Sequence, residues 1–118
     1  MENNKIITKD YFESKVTIII DKDKAVWFKG CDVASILCYS NKEKSVRMHV
    51  DIEDKIKMKE LMPAQNGLPL NSQPHTTFIN ESGLYSLILS SRMKNAKKFK
   101  RWVTKEYYQA EGKRVHIQ

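Results

Sequence analysis

The sequence has little of what bends, staples or spans a chain: two cysteines, three prolines and four glycines in 118 residues. Cys31 and Cys38 are too few for a disulfide framework. On one helix they would stand about 10 Å apart, beyond bridging reach. They read as buried thiols of a reducing compartment. So little glycine and proline excludes collagen-like and low-complexity classes. No apolar run approaches the length of a membrane span. The polar opening MENNKIITKD has no apolar segment of the kind a secretory signal needs. Signatures of catalysis are scarce as well. His49, His75 and His116 are scattered, with no Cys or carboxylate at ligand spacing. There is no Gly-rich phosphate loop, G-x-S-x-G or H-E-x-x-H. The expectation is no catalytic residue, no metal and no cofactor. The acids Asp51, Glu53 and Asp54 read as solvated turn residues.

What the chain does have is charge, unevenly placed. Lys and Arg total 21 against 14 Asp and Glu, a net charge of +7. Residues 1–91 carry 12 charges of each sign, and residues 92–118 carry nine basic against two acidic, so the last 27 residues hold the whole excess. Between 92 and 105 there are seven cations and no acid. Such a patch attracts polyanions, nucleic acid above all. The plainer reading is a solvated lysine-rich face that aids solubility. A membrane surface is the weaker fit, because the apolar side of this segment is needed by the core and no separate anchor exists.

Length suits one domain with its own core. Residues 1–10 and 112–118 read as flexible. Val16–Ile20 and Ala25–Phe28 read as two strands joined by a turn at 21–24, a first β-hairpin. Residues 32–38 are helical in pattern, with Val33, Ala34 and Leu37 on one face. Ser40 followed by Glu43 is a capping box opening a second helix over 40–50. Segments 55–59 and 76–79 can pair as a second hairpin across the Pro-rich loop 63–75. Asn80 is a good N-cap for a helix through Leu84, Leu87, Ile88 and Leu89 that should form the buried centre. A last helix runs from about Lys94 to Ala110. Its apolar side holds Ala96, Phe99, Trp102, Val103, Tyr107 and Ala110, and Trp27 and Trp102 read as core residues. The whole is an α+β domain with about four helices and two β-hairpins.

Two surfaces could carry function. On the last helix Lys94, Lys97, Lys98, Arg101 and Lys105 fall opposite the apolar side, with Arg92 just before it. They suit phosphate contacts, which give affinity and salt dependence with little sequence preference. The pair 32–38 and 40–50 has the outline of a helix-turn-helix, winged-helix-like if the second hairpin serves as a wing. Its second helix would offer Asn41, Lys42, Lys44, Ser45, Arg47, Met48 and His49 to base edges. The plain reading of that pair is a packing unit with a solvated charged face.

The stretches AVWFKGCDVASILCYSNKEKSVRMHVDIEDK and FINESGLYSLILSSRMKNAKKFKRWVTKE resemble the BRO-N domain of baculovirus repeated-ORF proteins, which is similar to the N-terminal domain of phage antirepressors. The likeness runs from about residue 16 to 106. It implies a non-catalytic module of a large DNA virus that binds double- or single-stranded DNA and regulates viral or host gene expression or chromatin inside the infected cell, in nucleus or cytoplasm. Implied partners are DNA, chromatin proteins, a second copy or full-length BRO relatives. The alternative is a protein-interaction or dimerisation module with an acidic or chromatin partner. Three departures stand out. Cys38 occupies a place where the family usually has Gly, and the loop 61–75 is longer and Pro-rich. Tyr107-Tyr108-Gln109-Ala110 replaces the usual Leu-Pro and basic stretch. The chain then ends with no second domain, as a fragment would, or a short member that competes with longer relatives.

Overall fold

The computed structural model describes residues 5–61, 74–94 and 96–109, the last three as backbone only. Five strands form one antiparallel sheet. They are β1 (Lys5–Tyr11), β2 (Ser14–Ile20), β3 (Val26–Lys29), β4 (Lys55–Lys57) and β5 (Thr77–Ile79). Their order in space is β1-β2-β3-β5-β4. The helices are α1 (Gly30–Ile36), α2 (Lys42–His49), the single turn α3 (Met58–Leu61), α4 (Glu81–Ser90) and α5 (Ala96–Val103). A 3-10 turn, Ile52–Asp54, leads into β4, and a π-helical turn, Thr104–Gln109, extends α5.

Strand alternation places the core. Val16 and Ile18 of β2 point to one face, where Phe28, Ile79 and the apolar sides of α1, α2, α4 and α5 close over them. Ile19 points to the other face, which carries a smaller cluster with Phe78 and with Met58 and Leu61 of α3. Period two in the strands thus separates a four-helix layer from a single-turn cover.

Side chains set the turns. Asp21 Oδ1 accepts from the amides of Asp23 and Ala25 at 2.8 and 2.9 Å, and its Oδ2 accepts from Trp27 Nε1 at 3.0 Å. One carboxylate therefore organises the whole β2–β3 turn, in which Lys24 takes a left-handed φ of 70°. β3 passes directly into α1, so on that side of β2 the Thr17 amide meets no strand residue. Asp32 in the first turn of α1 supplies the acceptor instead, 2.8 Å from the Thr17 amide. α1 closes with a left-handed residue: the amides of Cys38 and Tyr39 donate back to Ser35 and Ala34, each at 3.0 Å. Cys38 holds φ 61° there, which explains why Gly is expected at this place.

The architecture is α+β as expected, and the structure refines its parts. The two hairpins are not separate: β3 pairs with β5, joining β2–β3 to β4–β5 in one sheet. The β4–β5 hairpin is therefore built into the sheet, not free-standing as a wing would be. Residues 5–10, read as flexible, belong to β1, which pairs with β2 along its whole length. An edge strand needs few inward apolar residues, so its pattern is faint. The cap of α2 is Asn41, not Ser40; its side chain accepts from the Lys44 amide at 3.0 Å. Cys31 is half-exposed and Cys38 exposed, so neither is the buried thiol expected. Leu89, placed in the buried helix, is also exposed, while Trp27 and Trp102 are half-buried. Residues 1–4, 112–118 and most of the loop 63–75 lie outside the described residues, as do the side chains of Tyr107 and Ala110. Among the described residues no helix is long and apolar enough to cross a membrane.

Candidate nucleic-acid interface

Helix α5 is fixed by one side. Ala96, Phe99 and Val103 are buried and Trp102 is half-buried. Tyr11, at the end of β1, stands edge-on to Phe99 and Trp102, with ring centroids 5.1 Å from each. Those two rings stack at 5.9 Å. On the free side Lys97, Lys98, Arg101 and Lys105 are exposed, as are Arg92 and Lys94 before the helix. Lys100, which the helical projection left off this face, is exposed too and sits over the Tyr85 ring at 5.6 Å. Glu106 is the first acid after this run, and it pairs with Lys9 at 3.8 Å across two partly exposed side chains. That pair contributes little. The Thr104 hydroxyl donates to the Lys100 carbonyl at 2.9 Å, where α5 widens into its π-helical turn.

The first two cations are placed against the helix's own field, while Lys100 and Arg101 in the last turn suit it. α5 has Lys97 and Lys98 in its first turn and no acid there, whereas the positive N-terminal end of a helix favours carboxylates. Helix stability therefore does not account for them. An external anion would offset both the dipole and the mutual repulsion.

Helix α2 is a different surface. Lys42, Lys44, Arg47 and Met48 are exposed, and so is Asn41. Glu43 lies among them, and Lys55 Nζ approaches the Arg47 carbonyl at 3.5 Å. Ser45 leaves the expected reading set. It is 6% exposed, and its hydroxyl donates to the Asn41 carbonyl at 2.6 Å. It lies beside Val46, which faces α1, so it turns inward with it. His49 is half-buried, its ring 5.7 Å from that of Tyr39. The Tyr39 hydroxyl in turn donates to the Leu87 carbonyl at 2.8 Å, tying the α1–α2 connection to α4. Burial raises the pKa of the Tyr39 phenol, and burial followed by the Glu43 carboxylate raises that of the Cys31 thiol. α4 packs against both α2 and α5. Asp54, read as a solvated acid, instead accepts from Asn80 Nδ2 at 3.2 Å beside the cap of α4.

The comparisons place this arrangement among known proteins. A family model described as the BRO family, N-terminal domain, matches residues 15–109. The chain is 33% identical over 97 residues to the uncharacterized Bro-N domain-containing protein ORF2 of Autographa californica nuclear polyhedrosis virus, covering 75% of this chain and 30% of that one. It is 34% identical over 100 residues to an uncharacterized protein of Haemophilus influenzae, covering 84% and 46%. Over 104 residues it is 32% identical to the uncharacterized Bro-N domain-containing protein L2 of Acanthamoeba polyphaga mimivirus, covering 80% and 42%. The chain thus spans less than half the length of these relatives. Among solved structures, the N-terminal domain of Orf22, a Cydia pomonella granulovirus envelope protein, has the same fold. Its TM-score is 0.65 at 17% identity, covering 85% of this chain and 91% of that one. The matched span reaches from β2 through the turn after α5, and the chain belongs to the BRO family by its Bro-N domain.

Proposed function

We propose that this Bro-N domain is a non-catalytic nucleic-acid-binding module of a large DNA virus, acting within the infected cell on viral or host gene expression or chromatin. The observation that carries the reading is α5. Its buried side is locked to the core, while every cation from Arg92 to Lys105 is exposed and no acid interrupts them. Anchored cations lose less freedom on meeting a phosphate chain than cations on a loose tail. Helix α2 is the reading element in this proposal, with Arg47, Lys42, Lys44 and Asn41 at its surface and α1 as its support. The viral origin of two of the three relatives named above supports the setting.

Fluorescence anisotropy with labelled double- and single-stranded DNA, across a salt series, tests the reading. With four or five phosphates neutralised, log K should fall against log salt with a slope of about −3 to −4.5, depending on strand type. Absence of binding at about 50 mM salt, where phosphate contacts are strong, would turn the assignment toward an acidic protein partner.

A further inference from the structure

We propose that Phe12 is a base-stacking residue, held at the edge of the basic face of α5 to receive an unpaired nucleobase while the neighbouring cations take its phosphates. The inference rests on the nucleic-acid reading of α5 and adds to it a residue and a mode of contact.

Phe12 and Glu13 are the two loop residues of the β1–β2 hairpin, since Tyr11 and Ser14 face each other as its last pair. Two features of Phe12 oppose stability. Its side chain is 73% exposed, and its backbone holds φ 56°. In a two-residue hairpin turn a positive φ at the first position favours Gly, and a bulky L residue there is a genuine outlier. Neither feature fills a cavity or completes a core.

Placement explains what the fold gains. Tyr11 is 8% exposed and is wedged among Phe99 and Trp102 of α5, so the hairpin tip is fixed to that helix. Tyr11 also meets Phe12 edge-on, with centroids 4.8 Å apart, which limits the ring's swing. Lys98 Nζ lies 5.0 Å from the Phe12 centroid. An exposed cation–π contact is weak and does not account for an aromatic at a left-handed turn position. A solvent-facing ring beside a phosphate-binding cation is, however, the pairing that single-strand binders use. The aromatic stacks a base, tolerating any sequence because every base has a π face, and the cation meets the backbone. Lys97 and Arg101 continue the track along α5.

The test uses labelled (dT)12, (rU)12 and an abasic phosphodiester chain of equal length. Phe12→Ala should weaken binding to the base-bearing strands about 5- to 150-fold, the range of a lost base–aromatic stack, with the salt slope unchanged. Phe12→Trp should bind like wild type. On the abasic chain, Phe12→Ala and wild type should be equal. Loss confined to the DNA or to the RNA strand would assign the sugar as well as the stack. Phe12→Gly relieves the backbone strain, so it should melt a few degrees higher than wild type while binding as poorly as Phe12→Ala. Thermal melting of each variant separates lost contact from lost fold. If Phe12→Ala and Phe12→Gly bind like wild type while Lys97→Ala/Lys98→Ala/Arg101→Ala loses affinity, the stacking role is overturned and the basic face stands. If wild type binds none of the probes, both fall.

Discussion

Helices α2 and α5 each consist of eight residues and each turn cations to solvent. α2 contributes only Ser45 and Val46 to the interior, mixes Glu43 among its cations, and has a proper amide cap in Asn41. α5 buries three apolar residues at regular spacing, has no acid in its first turn, and concentrates like charge on its outer side. A charged face that is compensated and capped is explained by folding alone. A face that repels itself and sets Lys97 and Lys98 at the positive end of the helix dipole is not, because the repulsion lowers stability unless a counter-charge arrives. On the proposed reading, α5 supplies most of the affinity and α2 has the smaller task of preference.

The largest effect should come from removing the α5 charges. Lys97→Ala/Lys98→Ala/Arg101→Ala should reduce duplex affinity on the order of a hundredfold near 100 mM salt and flatten the slope by about three. All three side chains are exposed and their mutual repulsion is relieved, so its melting temperature should hold or rise slightly. Arg47→Ala, by contrast, should change relative affinities among sequences by about 1–3 kcal/mol at one base position and the slope by at most about one. Should Arg47→Ala flatten the slope more than the triple variant does, the division of labour would be reversed.

The second way to break the comparison is to disturb the seat of α2 alone. A Cβ at Gly30 would meet the Val46 methyls at 3.0 and 3.3 Å and the Thr77 carbonyl at 3.4 Å. Gly30→Ala should cost about 1–3 kcal/mol of stability through this overpacking, read by urea titration. Affinity for a non-specific strand should hold while the protein remains folded, because α5 packs on α4 and on Tyr11. A parallel collapse of non-specific affinity would show that the two helices act as one surface.

The smallest effect is a gain. Cys38 occupies a left-handed position, φ 61°, at the end of α1. Cys38→Gly should stabilise by about 0.5–1 kcal/mol, a rise of a few degrees in Tm. DNA affinity should not change, since the residue lies outside both cationic helices.

These elements also show what can be read from residues in order. Strands β2 and β3, the Asn80 cap and the amphipathic last helix were all legible, as was the pairing of 55–59 with 76–79 except that it stops at Lys57, where α3 begins, because each rests on local periodicity or on one side chain bonding a few residues away. The pairing of β3 with β5 was not, since it joins residues about fifty positions apart and no local pattern encodes it. β1 was missed because an edge strand need turn only a few residues inward, here Ile7 and Tyr11. At the site, the cations of α5 were legible from charge and helical projection. Ser45 was misplaced because its polarity suggested solvent, while its position beside Val46 decided its direction. Phe12 gave no signal in the sequence. Its meaning depends on the left-handed turn and on the arrival of α5 beside it, and only the assembled chain brings those together.

The sheet order has a consequence for how the domain forms. β3 must wait for β5, and the end of β1 must wait for Phe99 and Trp102, before the main core can close. Closing such distant segments pays loop entropy before contacts reward it, which slows folding relative to helical bundles of similar size. On the ribosome, the first hairpin therefore emerges long before its partners. The strip of cations is drawn into register with the hairpin tip only at the final closure, so an incompletely synthesised chain does not display the two side by side.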